Sequence, residues 1–351
     1  MTKNKKIIVA PLNWGLGHAA RCIPIIIALQ EEKFTPIIAS DGSALQFLKH
    51  EFPDLETLEL PSYNIKYGKN LIKNLLLQGP TILRAIQKER KIIALFIDKN
   101  TDVEGVISDN RFGARNSKVP SVYITHQLNV LSGFTTYLTS KTHQIIIKKF
   151  DECWVPDMVN SEFSGKLSSS KRKLNQKFIG ALSRFKKQDL KKDITILVLL
   201  SGPEPNRTFL EKKLTSAFKN DTRKIVFVLG QIEKVQKTWK NNNCTFHNFL
   251  LTEALGKIIN SSEIIICRSG YSSILDLATL GKKVFFIPTK NQPEQEYLAT
   301  YLKQQKIGPF SKIENFAPEN LNEVENYTGF KSIKTDFDTN LFRLFHSKRK
   351  F

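Results

Sequence analysis

Two stretches of this chain set glycines, hydroxyls and titratable side chains at spacings that can hold an anion and move a proton. The first, "NWGLGHAARCIP" (13–24), follows directly on the apolar run "KIIVA" (6–10). Gly15, Gly17 and Ala20 have the G-x-G-x-x-A spacing of a dinucleotide loop, and Asp41, about 20 residues on, stands where a nicotinamide enzyme would bind an adenosine ribose. A second reading starts from His18, which follows Gly17 where a helix should begin. A helix N-terminus offers free N–H groups and the positive end of a dipole, so it holds anions, and an imidazole there can act as a general base. Asp109, closing the strand-like "VEGVISD", can support His18 or take the proton itself. His126, in "YITHQ", ends another strand and is a candidate for acceptor contact.

The second stretch, "CRSGYSSILDLATLGKKVFFIPTKNQPEQEYLATYL" (267–302), is built as another anion cradle. A strand ends in Arg268-Ser269-Gly270. A helix then starts at Tyr271, with hydroxyls at Ser272 and Ser273, and Gly281 ends it. Asp276 lies about one and a half turns in, roughly 8 to 9 Å along the axis, where a carboxylate can accept from both hydroxyls of a ribose whose phosphates sit at the helix start. "NQPEQE" brings amides and carboxylates to the next helix start. Glu294 and Glu296 should face sugar hydroxyls, because like charges repel phosphate. The charge of a bound anion would be met by helix N-termini and by Arg268 or Arg207. The one clear D-x-D, "DFD" (336–338), lies in the polar tail far from both stretches and reads as a solvated turn, so no metal is expected.

The elements that must position these residues are short β-branched runs alternating with helical patterns, the signature of parallel sheets with crossover helices. Strands are expected at 6–10, 35–39, 55–60, 103–108, 120–125, 151–155 and 177–180, and again at 194–200, 224–230, 263–267 and 283–288. Between the two sets lies the polar, basic "LSRFKKQDLKKD" (182–193). The expectation is therefore an N-terminal Rossmann-like domain (1–182), a linker (183–193) and a second Rossmann-like domain (194–335), which the resemblance described below makes the nucleotide-sugar-binding one. A basic helix (336–351) should pack back on the first domain. Two facing Rossmann-like domains would bind ligand in the cleft between them.

Length and composition agree. At 351 residues, 41% of them apolar, the chain can bury two cores. Lys and Arg number 53 against 33 Asp and Glu, which favours anionic partners: phosphorylated ligands, anionic lipid or nucleic acid. Nucleic acid is not expected, because the basic residues are scattered rather than interleaved with aromatics. The polar, basic "KLSSSKRKLNQK" (166–177) reads as a surface loop. Residues 61–100 carry Lys66, Lys69, Lys73, Arg84, Lys88, Arg90, Lys91 and Lys99 against Glu89 and Asp98, and "YGKNLIKNLLL" (67–77) mixes lysines with leucines as an interfacial helix does. The same pattern also suits a helix covering its own sheet. No apolar run reaches the roughly 20 residues that span a bilayer, and no signal-peptide core precedes the first strand. Four separated cysteines indicate neither disulfides nor zinc. A cytoplasmic protein, peripheral at the inner membrane face, fits.

"RSG" (268–270), Asp276, "LGKKVFFIP" and "PEQEY" (293–297), together with "GLGHAARCIP", resemble glycosyltransferase family 28, which includes the peptidoglycan lipid I N-acetylglucosaminyltransferase. The resemblance implies an α/β GT-B fold and inverting, metal-independent transfer from a nucleotide sugar, usually a UDP-sugar, with no cofactor. The donor would be held by Ser201 and Gly202 in place of the family's phosphate loop, by backbone near Phe249 and Leu250 at the base, by Arg268, Ser269 and Gly270, and by Asp276 at the ribose. Gln295 and Glu296 would meet the diphosphate-hexose, and His18 matches the family's glycine-loop histidine, flanked by Gly15 and Gly17. Partners would be a nucleotide-sugar donor, a lipid-linked or polysaccharide acceptor, and an anionic membrane surface. The chain departs from the family in "SGPEP", poorer in glycine than usual, and in Glu296, where a second Gln is common. Two rivals share the architecture: a nicotinamide oxidoreductase using Gly15, Gly17, Ala20 and Asp41, and a nucleotide-sugar epimerase.

Overall fold

The computed structural model describes residues 5–64, 71–132, 135–169, 174–334 and 337–346, and the side chains of 71–77 lie outside the description. It divides into two units. The first comprises Met1–Trp14, His18–Leu182 and Asp336–Phe351, the second Gly15–Gly17 and Ser183–Thr335.

In the first unit the strands are β1 (Lys6–Pro11), β2 (Thr35–Ser40), β3 (Thr57–Glu59), β4 (Val103–Asp109), β5 (Ser121–Ile124), β6 (Glu152–Val155) and β7 (Gln176–Phe178). The helices are α1 (Gly17–Glu31), α2 (Gly42–Glu51), α3 (Leu71–Lys99) and α4 (Thr136–Ile147). The sheet runs β3-β2-β1-β4-β5-β6-β7, parallel throughout. Its central strands are buried on both faces, as parallel strands under crossover helices are; all seven residues of β4 are buried. Chain order reverses between β1 and β4, where Pro11 lies beside Asp109.

The second unit contains β8 (Ile194–Leu199), β9 (Ile225–Val228), β10 (Thr238–Asn241), β11 (Cys244–His247), β12 (Ser262–Cys267) and β13 (Lys283–Phe286). Its helices are α5 (Asn206–Ala217), α6 (Thr252–Asn260), α7 (Tyr271–Leu280) and α8 (Pro293–Gln304). The order is β10-β11-β9-β8-β12-β13, and only the edge strand β10 is antiparallel. Here the reversal falls between β8 and β12, with Leu199 beside Cys267.

The β10–β11 hairpin is absent from the sequence reading. Every residue of β10 is exposed, so it lacks the apolar alternation that marks a strand. Asn242 supplies the left-handed turn at φ 54°, and Trp239 stacks on Phe246 at 5.5 Å to anchor the edge.

Two expectations change in form. The stretch 183–193 is tied into the second unit: Ser183 bonds Asp276, the Gln188 N–H donates to Asn260 Oδ1 at 3.1 Å, and Lys192 Nζ donates to the Asn260 carbonyl. The basic tail forms a 3₁₀ helix, Thr339–His346, rather than an α-helix. In a 3₁₀ turn residues i and i+3 eclipse, which brings Phe342 and Phe345 together onto Trp154 at 6.3 and 6.4 Å. Phe345 also fills the space over Gly105 in β4. The side chains of "YGKNLIKNLLL", part of "KLSSSKRKLNQK" and Asp336 of "DFD" fall outside the described residues.

Candidate functional site

Ligands of open parallel sheets bind beyond the carboxyl ends of the strands where chain order reverses. Each unit has one such place, and each gathers residues singled out from the sequence.

In the first unit, β1 leads through Gly15, whose φ of +79° only glycine adopts without strain, into α1 at Gly17. His18 is therefore the second helical residue. Asp109 is the last residue of β4 and is fully buried. His18 Nδ1 lies 2.8 Å from Asp109 Oδ1. One turn along α1, Arg21 donates through Nε and Nη2 to both oxygens of the same carboxylate. Its Nη2 is 2.9 Å from His18 Nδ1, and its Nη1 is 3.3 Å from His126 Nδ1. Cys22 Sγ approaches Asp109 Oδ2 at 3.8 Å. Burial alone would raise the Asp109 carboxyl. The charges of Arg21 and then His18, with their hydrogen bonds, outweigh burial and hold it far below the usual carboxylate range.

Asp109, fully buried and engaged on both oxygens by Arg21, meets His18 at Nδ1 and is placed for the first of its two suggested roles, supporting His18. His126 is 5% exposed, with Nδ1 beside Arg21 Nη1. Arg21 was missed from the sequence. The available signal was its i+3 spacing from His18, which puts both on one helix face.

Nothing supports the dinucleotide reading, and Asp41 is already engaged within the unit. It precedes α2 and is engaged by Arg111 Nη1 at 2.7 Å and Asn13 Nδ2 at 3.0 Å. Arg111, itself fully buried, is held in turn by Glu89. A ribose would have to break this buried ion pair.

In the second unit, β8 leads to Ser201 and Gly202. Gly202 has φ +102°, and a Cβ there would meet no atom within 4 Å, so this glycine leaves open space beside the backbone. Across the reversal, Gly270 precedes α7 in an extended conformation with no side-chain cap, and the first helical bond runs from Ile274 N to Gly270 O at 3.0 Å. An uncapped N-terminus of this kind is an anion seat. On the second turn of α7, the half-buried Asp276 accepts from Ser183 Oγ at 2.7 Å. Burial pushes its carboxyl up to about 6, against the opposing pull of Arg184 and the Ser183 hydrogen bond.

Arg207, 4% exposed, donates to Glu204 (2.7 Å), Glu211 (2.6 Å) and Thr208 (2.7 Å), and Arg268, also 4% exposed, donates to the carbonyls of Ile287 (3.2 Å) and Asn206 (3.0 Å). Both tie loops together through these bonds. Ser269 Oγ likewise donates to the Gln295 carbonyl at 2.8 Å. Gln295 Oε1 and the exposed Glu296 Oε1 accept from the N–H groups of Thr289 (2.8 Å) and Asn291 (3.0 Å), fixing the loop before α8. Phe249 is buried with its N–H on Asn248 Oδ1 at 2.9 Å, while Leu250 is half-buried. Among the described residues, no three His, Cys, Asp or Glu side chains gather as metal ligands, and no helix is long and apolar enough to cross a membrane.

Two Rossmann-like sheets, each with a glycine loop and a helix start at its reversal, are the architecture of the GT-B fold. Among solved structures, the fold is similar to the glycotransferase of kitacinnamycin (TM-score 0.63, 13% identity, 98% of this chain and 94% of that one) and to MurG of Acinetobacter baumannii (TM-score 0.53, 13% identity, 97% and 99%). Residues 168–327 match the glycosyltransferase family 28 C-terminal domain. The chain is similar to the UDP-N-acetylglucosamine–N-acetylmuramyl-(pentapeptide) pyrophosphoryl-undecaprenol N-acetylglucosamine transferases of Histophilus somni and Mannheimia succiniciproducens. The first is 25% identical over 317 residues and the second 26% over 312, each covering 86% of this chain and 83% of the relative. This protein is a hexosyltransferase, similar over residues 168–327 to the family 28 C-terminal domain.

Proposed function

We propose that the protein transfers a hexose or N-acetylhexosamine from a UDP-sugar to the hydroxyl of a lipid-linked acceptor, inverting the anomeric centre without a metal, at the cytoplasmic face of a membrane. The acceptor oxygen bonds to the anomeric carbon as the bond from that carbon to the diphosphate oxygen breaks. The electron pair leaves with UDP, and the hydroxyl proton passes to His18 Nε2. Asp109 offsets the charge that develops on the ring. The second unit would seat the diphosphate at the uncapped start of α7 and beside Gly202, where backbone dipoles meet leaving-group charge. Asp276 would accept from the ribose, and Gln295 and Glu296 would contact the sugar.

The observation that carries the reading is the 2.8 Å contact between His18 Nδ1 and Asp109 at the sheet reversal. The names of the relatives support the donor and acceptor classes. The test is UDP release from UDP-N-acetylglucosamine with undecaprenyl-pyrophosphoryl-N-acetylmuramyl-pentapeptide, with and without EDTA, in the parent and in His18→Ala. The expected loss in His18→Ala is at least about 100-fold in kcat, with UDP affinity unchanged by calorimetry. Near-parental turnover in this variant would remove His18 as the base, and loss of activity on chelation would remove metal independence.

A further inference from the structure

We infer that Arg21 is a positioning residue for this transfer: its guanidinium keeps Asp109 ionised, which holds the His18 ring proton on Nδ1 and leaves Nε2 to receive the acceptor proton. The inference rests on His18 as the base and adds the group that sets its tautomer. Arg21 is 2% exposed and is not placed to touch substrate, so its effect passes through Asp109.

The geometry is that of a planar fork on a carboxylate, Nε on one oxygen and Nη2 on the other. A carboxylate buried without such a partner takes up a proton instead of staying charged. The groups facing Asp109 are His18, Arg21 and the Cys22 thiol from α1, the neighbouring Asn110 amide at 3.3 Å, and Tyr123 from β5, while His126, in the turn after β5, faces Arg21 Nη1 at 3.3 Å. Among these, Arg21 alone carries a permanent positive charge. His18 Nδ1 meets an acceptor at 2.8 Å, Asp109 Oδ1, and a donor at 2.9 Å, Arg21 Nη2. The Nη2 group already donates to that same Oδ1. An ionised Asp109 therefore draws the ring proton to Nδ1, and a protonated one would release it to Nε2, where it blocks the base.

The test uses ¹⁵N-histidine-labelled full-length protein as the parent, Arg21→Met, Arg21→Gln and Arg21→Lys. It reads the His18 tautomer by NMR and the pH profile of transfer from UDP-N-acetylglucosamine. The parent should show Nδ1–H. Arg21→Met should shift the proton toward Nε2 and lower kcat about 100-fold, with the donor KM within about twofold. Without its counter-ion the Asp109 carboxyl titrates higher, so the acid limb of the profile should move to higher pH, and Arg21→Lys should move it back. A purely structural ion pair would lower activity evenly at every pH. Arg21→Gln keeps the packing and hydrogen-bonding capacity without the charge, and decides the matter if Arg21→Met does not fold. An Nε2–H tautomer in the parent, or an unshifted tautomer and acid limb in a folded uncharged variant, overturns the inference. If His18→Ala keeps parental turnover, the base assignment falls first; if it is inactive while Arg21→Met behaves as the parent, only the role of Arg21 falls.

Discussion

The two sheet reversals solve the same problem with different materials. In the first unit the place beyond β1 and β4 is filled by charged side chains: a fully buried carboxylate, an arginine on both its oxygens, and two imidazoles within reach of that pair. In the second, the place beyond β8 and β12 is made of backbone, with Gly202, Gly270 and the uncapped start of α7 at its centre. The charged side chains around it, Arg207 and Arg268, are occupied in holding loops. The difference suits the two jobs proposed for them. A proton acceptor must be one atom of defined protonation state, which takes a side chain with a controlled neighbour. A diphosphate spreads its charge over many oxygens, which peptide N–H groups can meet without bringing a mobile cation.

If the first reversal depends on its ion pair, removing one partner should cost more than a comparable change at the second. Asp109→Ala leaves the Arg21 guanidinium buried without its carboxylate, and about 3 to 5 kcal/mol of stability should be lost by urea unfolding at neutral pH. Because the folded-state carboxyl lies below its unfolded value, its contribution is present above roughly pH 4 and fades as pH falls further. A loss under 1 kcal/mol would mean that solvent reaches the pair. Arg268→Met comes next. Two charge-assisted bonds to carbonyls disappear, so about 2 to 3 kcal/mol should be lost. UDP affinity should stay within about threefold once the variant is folded, since a partner that never touches phosphate contributes little to ΔG of binding. A selective 100-fold loss of UDP affinity would return Arg268 to the donor site.

How much of this could be read beforehand differs between the regions in an instructive way. Strand positions were legible because buried parallel strands are continuous β-branched runs, as in "KIIVA" and "EIIIC". The exposed β10 was not, because nothing in "TWKN" alternates. The helix start at Tyr271 was legible from "RSG", since a glycine before a helix announces an uncapped N-terminus. What Arg207 and Arg268 do was not legible. An arginine beside an anion cradle is chemically suited to phosphate, and only the fold reveals that Glu204, Glu211 and the Asn206 carbonyl reach it first. Arg21 was hidden for the reverse reason. Its partner lies 88 residues away on β4, and the pairing exists only once β1 and β4 are adjacent.

Asp276 sharpens the comparison, because it is the second unit's own half-buried carboxylate and shifts in the opposite direction to Asp109. Its folded-state value near 6 exceeds the unfolded value of roughly 4, so the native state binds more protons between those limits. Stability should therefore fall by up to about 2 kcal/mol as pH rises from 4 to 6, and Asp276→Asn should remove that slope. The same titration should weaken UDP binding as pH drops from 7.5 to 5.5, because the ribose hydroxyls need the ionised acceptor. A pH-independent UDP affinity in the parent would detach Asp276 from the ribose.

The smallest expected effect tests the edge of the second site. Glu296 is exposed and accepts from the Asn291 N–H at 3.0 Å, a bond that a glutamine oxygen can also make. Glu296→Gln should therefore leave stability within about 0.5 kcal/mol. The change matters for the sugar instead: a carboxylate accepts from two hydroxyls and repels the neighbouring diphosphate, whereas an amide accepts from one and donates to another. Measured as kcat/KM across UDP-hexoses and UDP-N-acetylhexosamines, the substitution should reorder the preference by about three- to tenfold, with kcat on the best donor little changed. An identical ranking in parent and variant would place the sugar away from Glu296 and confine that residue to holding the loop ahead of α8.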